Sequence, residues 1–220
     1  LSLAGVLFQA LFRNPLVEPY TPGISGGAAL GASLYMTVLG ALPFTLGLPI
    51  SGFLGALLVI FLLFSLGFRR GGLRLGNILL TGVMISFISS ALVMFILSVS
   101  RARTVTGILF WTMGSLDRQD MAITRVVLLL SIGALLAVAF IAVKLNALML
   151  GEESAASLGI RVERLKKLVF LLGSLLTGFC VASAGIIGFV GLVVPHFVRM
   201  YISRDHRIIP VASYISGGIF

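Results

Sequence analysis

Residues 75–99 run for 25 positions without one charged side chain. About 18 to 20 such residues are enough for a helix to cross the hydrocarbon layer of a bilayer. Backbone in lipid must satisfy its own hydrogen bonds, which leaves only helices and closed barrels. Stretches 50–68, 122–143 and 168–203 are also apolar, broken only by Arg125, His196 and Arg199. A barrel needs short alternating strands, and no stretch here alternates in that way. The expected fold class is therefore all-α, a polytopic transmembrane helix bundle. Only 10% of the residues are charged, against roughly 25% in soluble domains.

Between these runs the chain is punctuated. Residues 1–12 resemble the end of a membrane helix. Arg13–Gly23 (RNPLVEPYTPG) holds three prolines and cannot be one helix. Residues 24–42 form the next expected crossing, with Gly26, Gly27, Ala28 and Gly31 permitting close helix contact. A short turn is expected over Pro43–Pro49, and Arg69, Arg70 and Arg74 surround a Gly-Gly turn. On the 75–99 run, Gly82, Ser86 and Ser90 recur every four residues and define a small, weakly polar face. Ser100–Asp120 is a mixed connection carrying the only tryptophan, Trp111, and its ILFWTMG centre fits a short interfacial helix. A single helix over 168–203 would be about 54 Å long, too long for a layer of about 30 Å. Gly185, Gly188 and Gly191 suggest instead two crossings that reverse around Ala184–Gly188.

Alternating crossings put Arg13, 69–74, 144–167 and 199–207 on one side. These hold one, three, five and three Lys/Arg, against four (Arg101, Arg103, Arg118, Arg125) on the other. The excess marks the first side as cytoplasmic. It also accounts for the net charge of +9 without nucleic acid as a partner. The lone Cys180 lies in an apolar run, where a packed small side chain is expected. The chain opens on Leu1 in helical sequence and stops at Phe220 in another apolar run, as an internal segment of a longer protein would.

The longest polar break is 144–167, KLNALMLGEESAASLGIRVERLKK. EESAASLG suits a short helix ended by Gly159, and RVERLKK suits a second one at the membrane surface. An insert of this kind either touches a soluble partner or lays its lysines on lipid phosphates. All seven acids lie in or beside loops, so no intramembrane carboxylate offers a proton or sodium pathway. No phosphate-binding G-x-x-x-x-G-K-[ST] loop occurs, and no catalytic constellation stands out. Energy for transport would have to come from a partner. His196 and His206 are ten residues apart with no cysteine nearby, a poor ligand pattern; no metal site is expected. Internal repetition is weak: Ile-Ser-Gly-Gly occurs at 24–27 and 215–218.

Several of these stretches together resemble the FecCD-type (BtuC-like) permeases of ABC importers for iron-siderophore, haem and cobalamin. QALFRNPLVEPYTPGISGGAALG (Gln9–Gly31), WTMGSL (Trp111–Leu116), GEESAASLGIRVERLKK (Gly151–Lys167), GIIGFVGLVVPHFVR (Gly185–Arg199) and RDHRIIP (Arg204–Pro210) are each similar to a signature of that family. Val17 and Pro22 depart from it, in a turn. The resemblance implies a ten-helix subunit, of which this chain holds the end of the second through the start of the ninth. It also implies a single permease domain over 1–220, truncated at both ends, with 144–167 as a cytoplasmic coupling insert. Implied partners are two ABC ATPase subunits that bind ATP and Mg, a substrate-binding protein, and a second permease subunit, in the cell (inner) membrane. The chain itself would hold no cofactor and be no enzyme. Glu152, Glu153, Ala155, Ala156, Leu158, Gly159, Arg161 and Arg164 would couple to the ATPase. Arg13, Asn14, Pro15, Leu16, Asn77, Gly82, Ser86 and Ser90 would line the pathway or gate. Arg101, Arg103 and Arg118 would meet the binding protein. Pro195, His196, Arg199, Asp205, His206 and Arg207 would be structural. Iron(III)-siderophore is the first expectation for cargo, with haem, cobalamin or molybdate as alternatives; a passive channel is the reading from another class.

Overall fold

The computed structural model describes residues 1–38, 44–67, 75–116 and 121–220, with side chains in the second stretch from Gly47 onward. The described residues form ten helices and no strand: α1 Ser2–Phe12, α2 Ile24–Val38, α3 Phe44–Gly67, α4 Leu75–Val99, α5 Ala102–Met113, α6 Met121–Met149, α7 Glu152–Ser157, α8 Val162–Ala184, α9 Val190–Tyr201 and α10 Ile209–Ile219. Four of them, α3, α4, α6 and α8, are long and apolar enough to cross a membrane.

The bundle is built around α1. All its residues from Ser2 to Leu11 are buried, under α8, α9, α10 and α6. The Phe8 ring stands edge-on to Phe170, 6.1 Å between centroids, and lies over Gly173. Small residues set the closest approaches. A β-carbon on Gly5 would overlap the Gly191 carbonyl oxygen, and one on Gly55 would overlap that of Gly27. The glycines of 24–31 thus bring α2 against α3 as expected, because without hydrophobic drive between helices in lipid, close backbone packing supplies the attraction.

Neighbour pairs fix the directions. Gly52 and Ala56 of α3 lie against Ala182 and Gly178 of α8, so these helices are antiparallel and Gly67 lies at the end where α8 begins. Ile78 of α4 packs on Gly67. Arg13 faces Glu152, and Asn146 bonds Asp205. One end of the bundle therefore gathers Arg13, Gly67, the start of α4, 150–161 and 202–208. At the other, Ser115 N–H donates to Ala184 O at 2.8 Å and the Thr37 and Ser100 hydroxyls meet at 3.4 Å. This is the alternation that the basic residues require.

Three boundaries differ from the sequence expectation. The 43–49 turn is helical from Phe44, with Pro49 inside α3; Pro43 lies outside the described residues. Pro49 removes one early hydrogen bond, which a helix tolerates best near its start. The 144–167 insert is mostly continuous helix. Lys144–Met149 extends α6, and RVERLKK is the first turns of α8 rather than a second separate helix. Good helix formers such as Leu, Lys, Arg and Ala need no lipid to continue a helix. The reversal near Ala184–Gly188 is present, but the second limb, α9, has 12 residues, about 18 Å.

Candidate functional site

The polar end of the bundle carries the densest side-chain chemistry, and its centre is α7. The six-residue helix ends in a Schellman turn. Gly159 sits at φ +78°, its N–H donates to Ala156 O at 2.9 Å, and the Ile160 N–H reaches Ala155 O at 3.1 Å. Glycine at the left-handed position avoids a β-carbon clash, and Ile160 then packs on the core. Ala155 is fully buried, while Glu153, Ala156 and Leu158 are exposed. α7 is thus anchored through one side and open on the other.

An ion-pair chain ties α7 to its surroundings. Lys166 of α8, its side chain 3% exposed, donates to Glu152 at 2.9 Å and to Glu163 at 2.6 Å. Glu152 also faces Arg13 at 3.8 Å. Arg13 is itself unusual: it holds φ +50° at the end of α1, a left-handed conformation costly for a residue with a β-carbon. The Asn14 N–H to Gln9 O bond (3.1 Å) closes that turn, and the Asn14 side chain accepts from Leu16 N–H at 2.9 Å. The α1 terminus and α7 are therefore joined through charge. Lys166 and Glu163 were not singled out from sequence. Their one signal is i,i+3 spacing at the start of α8.

Two further polar groups tie α1 to α9 and α6 to the 202–208 turn. Arg199 donates to Gln9 Oε1, and Gln9 Nε2 points to the carbonyls of Gly191 and Leu192 at 3.4 and 3.5 Å. Asn146 Nδ2 donates to Asp205 Oδ1 at 2.6 Å, and the Arg207 N–H donates to the same oxygen at 2.9 Å. Both the His206 N–H and His206 Nδ1 lie 2.9 Å from Asn146 Oδ1. That oxygen only accepts, so Nδ1 carries the proton. His196 is exposed on α9, and Pro195 is buried within it. The Asp-His-Arg run thus clamps the end of α6, with Asn146 the member that sequence reading overlooked.

Burial, followed by the charge of Arg199, pulls the His206 imidazole from 6.5 down to about 4, with Asp205 opposing. Asp205, held below the usual carboxylate range by the Arg207 N–H and the Asn146 amide, stays ionised above that value. Between about pH 4 and 6.5 the unfolded chain binds the extra proton, so stability falls as pH drops through this window and levels off beneath it. The thermal midpoint of the solubilised protein is expected to decline from about pH 7 to about pH 5. His206→Asn, whose amide N–H can replace Nδ1–H, is expected to flatten that decline.

The expected pathway residues are dispersed. Arg13, Asn14, Pro15, Leu16 and Asn77 are all exposed at the polar end. Gly82 is buried against Pro22, Ser86 is half-buried beside Gly26, and Ser90 is exposed. The small face of α4 is thus not one open surface, because its closest stretch admits Pro22 and the start of α2. At the far end Arg101 and Arg103 are exposed at the start of α5; Arg118 lies outside the described residues. Two irregular segments meet: Phe189 N–H donates to Glu18 Oε1 at 2.9 Å on an exposed face, and the half-buried Tyr20 hydroxyl donates to Ile187 O at 2.9 Å. Nothing local in Glu18 or Tyr20 signals that role.

Residues 1–220 match the model of the FecCD transport family. The chain is 34% identical over 223 residues to a cobalamin import system permease protein of Halobacterium salinarum, covering 100% of this chain and 59% of that one. It is 37% identical over 210 residues to a hemin transport system permease protein of Yersinia pestis, covering 94% and 63%. It is 38% identical over 221 residues to a vitamin B12 import system permease protein of Klebsiella pneumoniae, covering 99% and 65%. The chain thus spans about three fifths of the length of these relatives. Among solved structures it is similar to an inward-facing conformation of an ABC transporter of metal-chelate type, with TM-score 0.90 and 30% identity over 99% of this chain and 68% of that one.

Proposed function

The chain belongs to the FecCD transport family, and from that premise we propose that it is the membrane-spanning part of an ATP-driven importer in the cell membrane. The observation that carries the mechanism is α7, buried through Ala155, ion-paired to Arg13 and Lys166, and open through Glu153, Ala156 and Leu158. A partner ATPase, which binds ATP and Mg, grips this open face. Its closure moves α7, and the ion pairs pass the displacement to the Arg13 turn and to α8. The motor favours one permease state only if it binds the two states with different affinity. The chain itself performs no catalysis.

A second permease copy completes the pathway, with Ser90 on the exposed side of α4 as one lining residue. A substrate-binding protein delivers cargo to the end that displays Arg101 and Arg103, with Arg118 in the same loop. The cargo is a bulky metal chelate. Iron(III)-siderophore is our first assignment, with cobalamin, haem and molybdate as alternatives; two of the relatives above are named for cobalamin or vitamin B12 and one for hemin.

Reconstitution tests this. The full-length protein with its neighbouring ATPase in vesicles should hydrolyse ATP faster when the loaded binding protein is added. Ion conductance without any ATPase would replace the importer with a channel. Glu152→Gln keeps Glu163 as a partner for Lys166 but weakens the tie to Arg13. An exposed pair of this kind contributes about 0.2–1 kcal/mol, so transport per ATP hydrolysed is expected to fall by up to about fivefold, with the amount of protein in the membrane unchanged.

A further inference from the structure

The basic residues around α7 differ in their partners. Arg13 and Lys166 face carboxylates. Lys144, Arg161 and Arg164 make no side-chain hydrogen bond or ion pair among the described residues. All three line one cavity of about 490 Å³, between the end of α6 and the start of α8.

The remaining wall of that cavity is apolar, with Ile141, Leu158 and Leu168 among its residues. The apolar surface does not stop at the cavity. Phe140, one turn before Lys144 on the same face of α6, is 85% exposed, and Val143 is 57% exposed. On α8, Leu171 follows Leu168 by one turn and is 38% exposed. Three uncompensated cations therefore sit at the mouth of an apolar track that runs along two membrane-crossing helices. Their depth is the end of those crossings, where lipid headgroups lie.

We propose that this cavity binds an anionic phospholipid. Its phosphate lies among Lys144, Arg161 and Arg164, and an acyl chain follows Phe140 and Leu171. Free phosphate would use the cations but not the track. An acidic patch on a soluble protein would meet the cations but would not reach the apolar track, which lies within the crossings. Basic pockets between crossings at this depth suit acidic headgroups, each cation adding roughly a fivefold preference at an anionic surface. The site adjoins Gly159 and Ile160, so bound lipid would brace the turn that ends α7.

The test uses the full-length protein, delipidated and then equilibrated with mixed micelles of phosphatidylcholine and phosphatidylglycerol. Retained lipid is counted by mass spectrometry. Wild type should retain phosphatidylglycerol in preference to phosphatidylcholine. The triple variant K144Q/R161Q/R164Q should lose that preference about tenfold or more, and the charge-preserving K144R/R161K/R164K should keep it, which separates loss of charge from loss of fold. Displacement of the lipid by equimolar inorganic phosphate would overturn the proposal in favour of a free-anion site. Unchanged lipid retention in K144Q/R161Q/R164Q, with binding of the ATPase lost, would overturn it in favour of a motor contact.

Discussion

Gly159→Pro is expected to abolish uptake, and with it the ATP hydrolysis that uptake stimulates, while the protein still inserts in the membrane. Proline locks φ near −65°, whereas Gly159 holds +78°. The substitution also deletes the N–H that bonds Ala156 O. Both bonds of the Schellman turn are lost together, so α7 has no fixed exit and Ile160 no fixed place in the core. No atom lies within contact of a β-carbon built at Gly159, so the effect is a backbone effect and not a clash. Gly159→Ala, with only the left-handed strain of about 1–2 kcal/mol, should be intermediate. Deleting Glu152–Leu158 should match the proline variant. Normal uptake in either severe variant would remove α7 from the transport mechanism. The measurements are uptake into vesicles, stimulated ATPase rate and membrane-fraction yield.

Gly5→Val is expected to prevent assembly of the bundle. The β-carbon alone would overlap the carbonyl of Gly191, and α1 is buried along Ser2–Leu11, so it has nowhere to retreat. Overpacking of this kind costs about 1–3 kcal/mol where neighbours can shift. Backbone against backbone leaves less room, so loss of monodisperse protein in size-exclusion chromatography is the expected result. Gly133→Val on α6 is the matched control. No atom lies within contact range of its β-carbon position, and its yield should equal that of wild type. Equal yields for both variants would mean that the α1–α9 contact is not needed for folding.

The helical class, the four long crossings and the alternation of ends were legible because lipid forces each crossing to be satisfied within its own segment. The turn at Gly159 was legible because glycine's backbone freedom is local. The 75–99 helix was legible to the residue, since no charged side chain and no proline interrupts it. The division of 144–167 was not. RVERLKK forms helix equally well alone or as the start of α8, and only packing chose the latter. The surroundings of Gly82, Ser86 and Ser90 were not legible for a related reason. Small residues signal close approach, but not whether the approaching group is cargo or the chain's own Pro22.

Sequence alone determined that this chain is a membrane bundle with its charge gathered at one end, because hydropathy and charge act on each segment independently of the rest. Tertiary structure alone decided which polar groups meet. Gln9 with Arg199, Arg13 with Glu152, Asn146 with His206 and Glu152 with Lys166 come from different helices or turns, and the first pair is separated by 190 positions. A buried donor or charge must find a partner wherever packing brings one near, and no local pattern names that partner in advance.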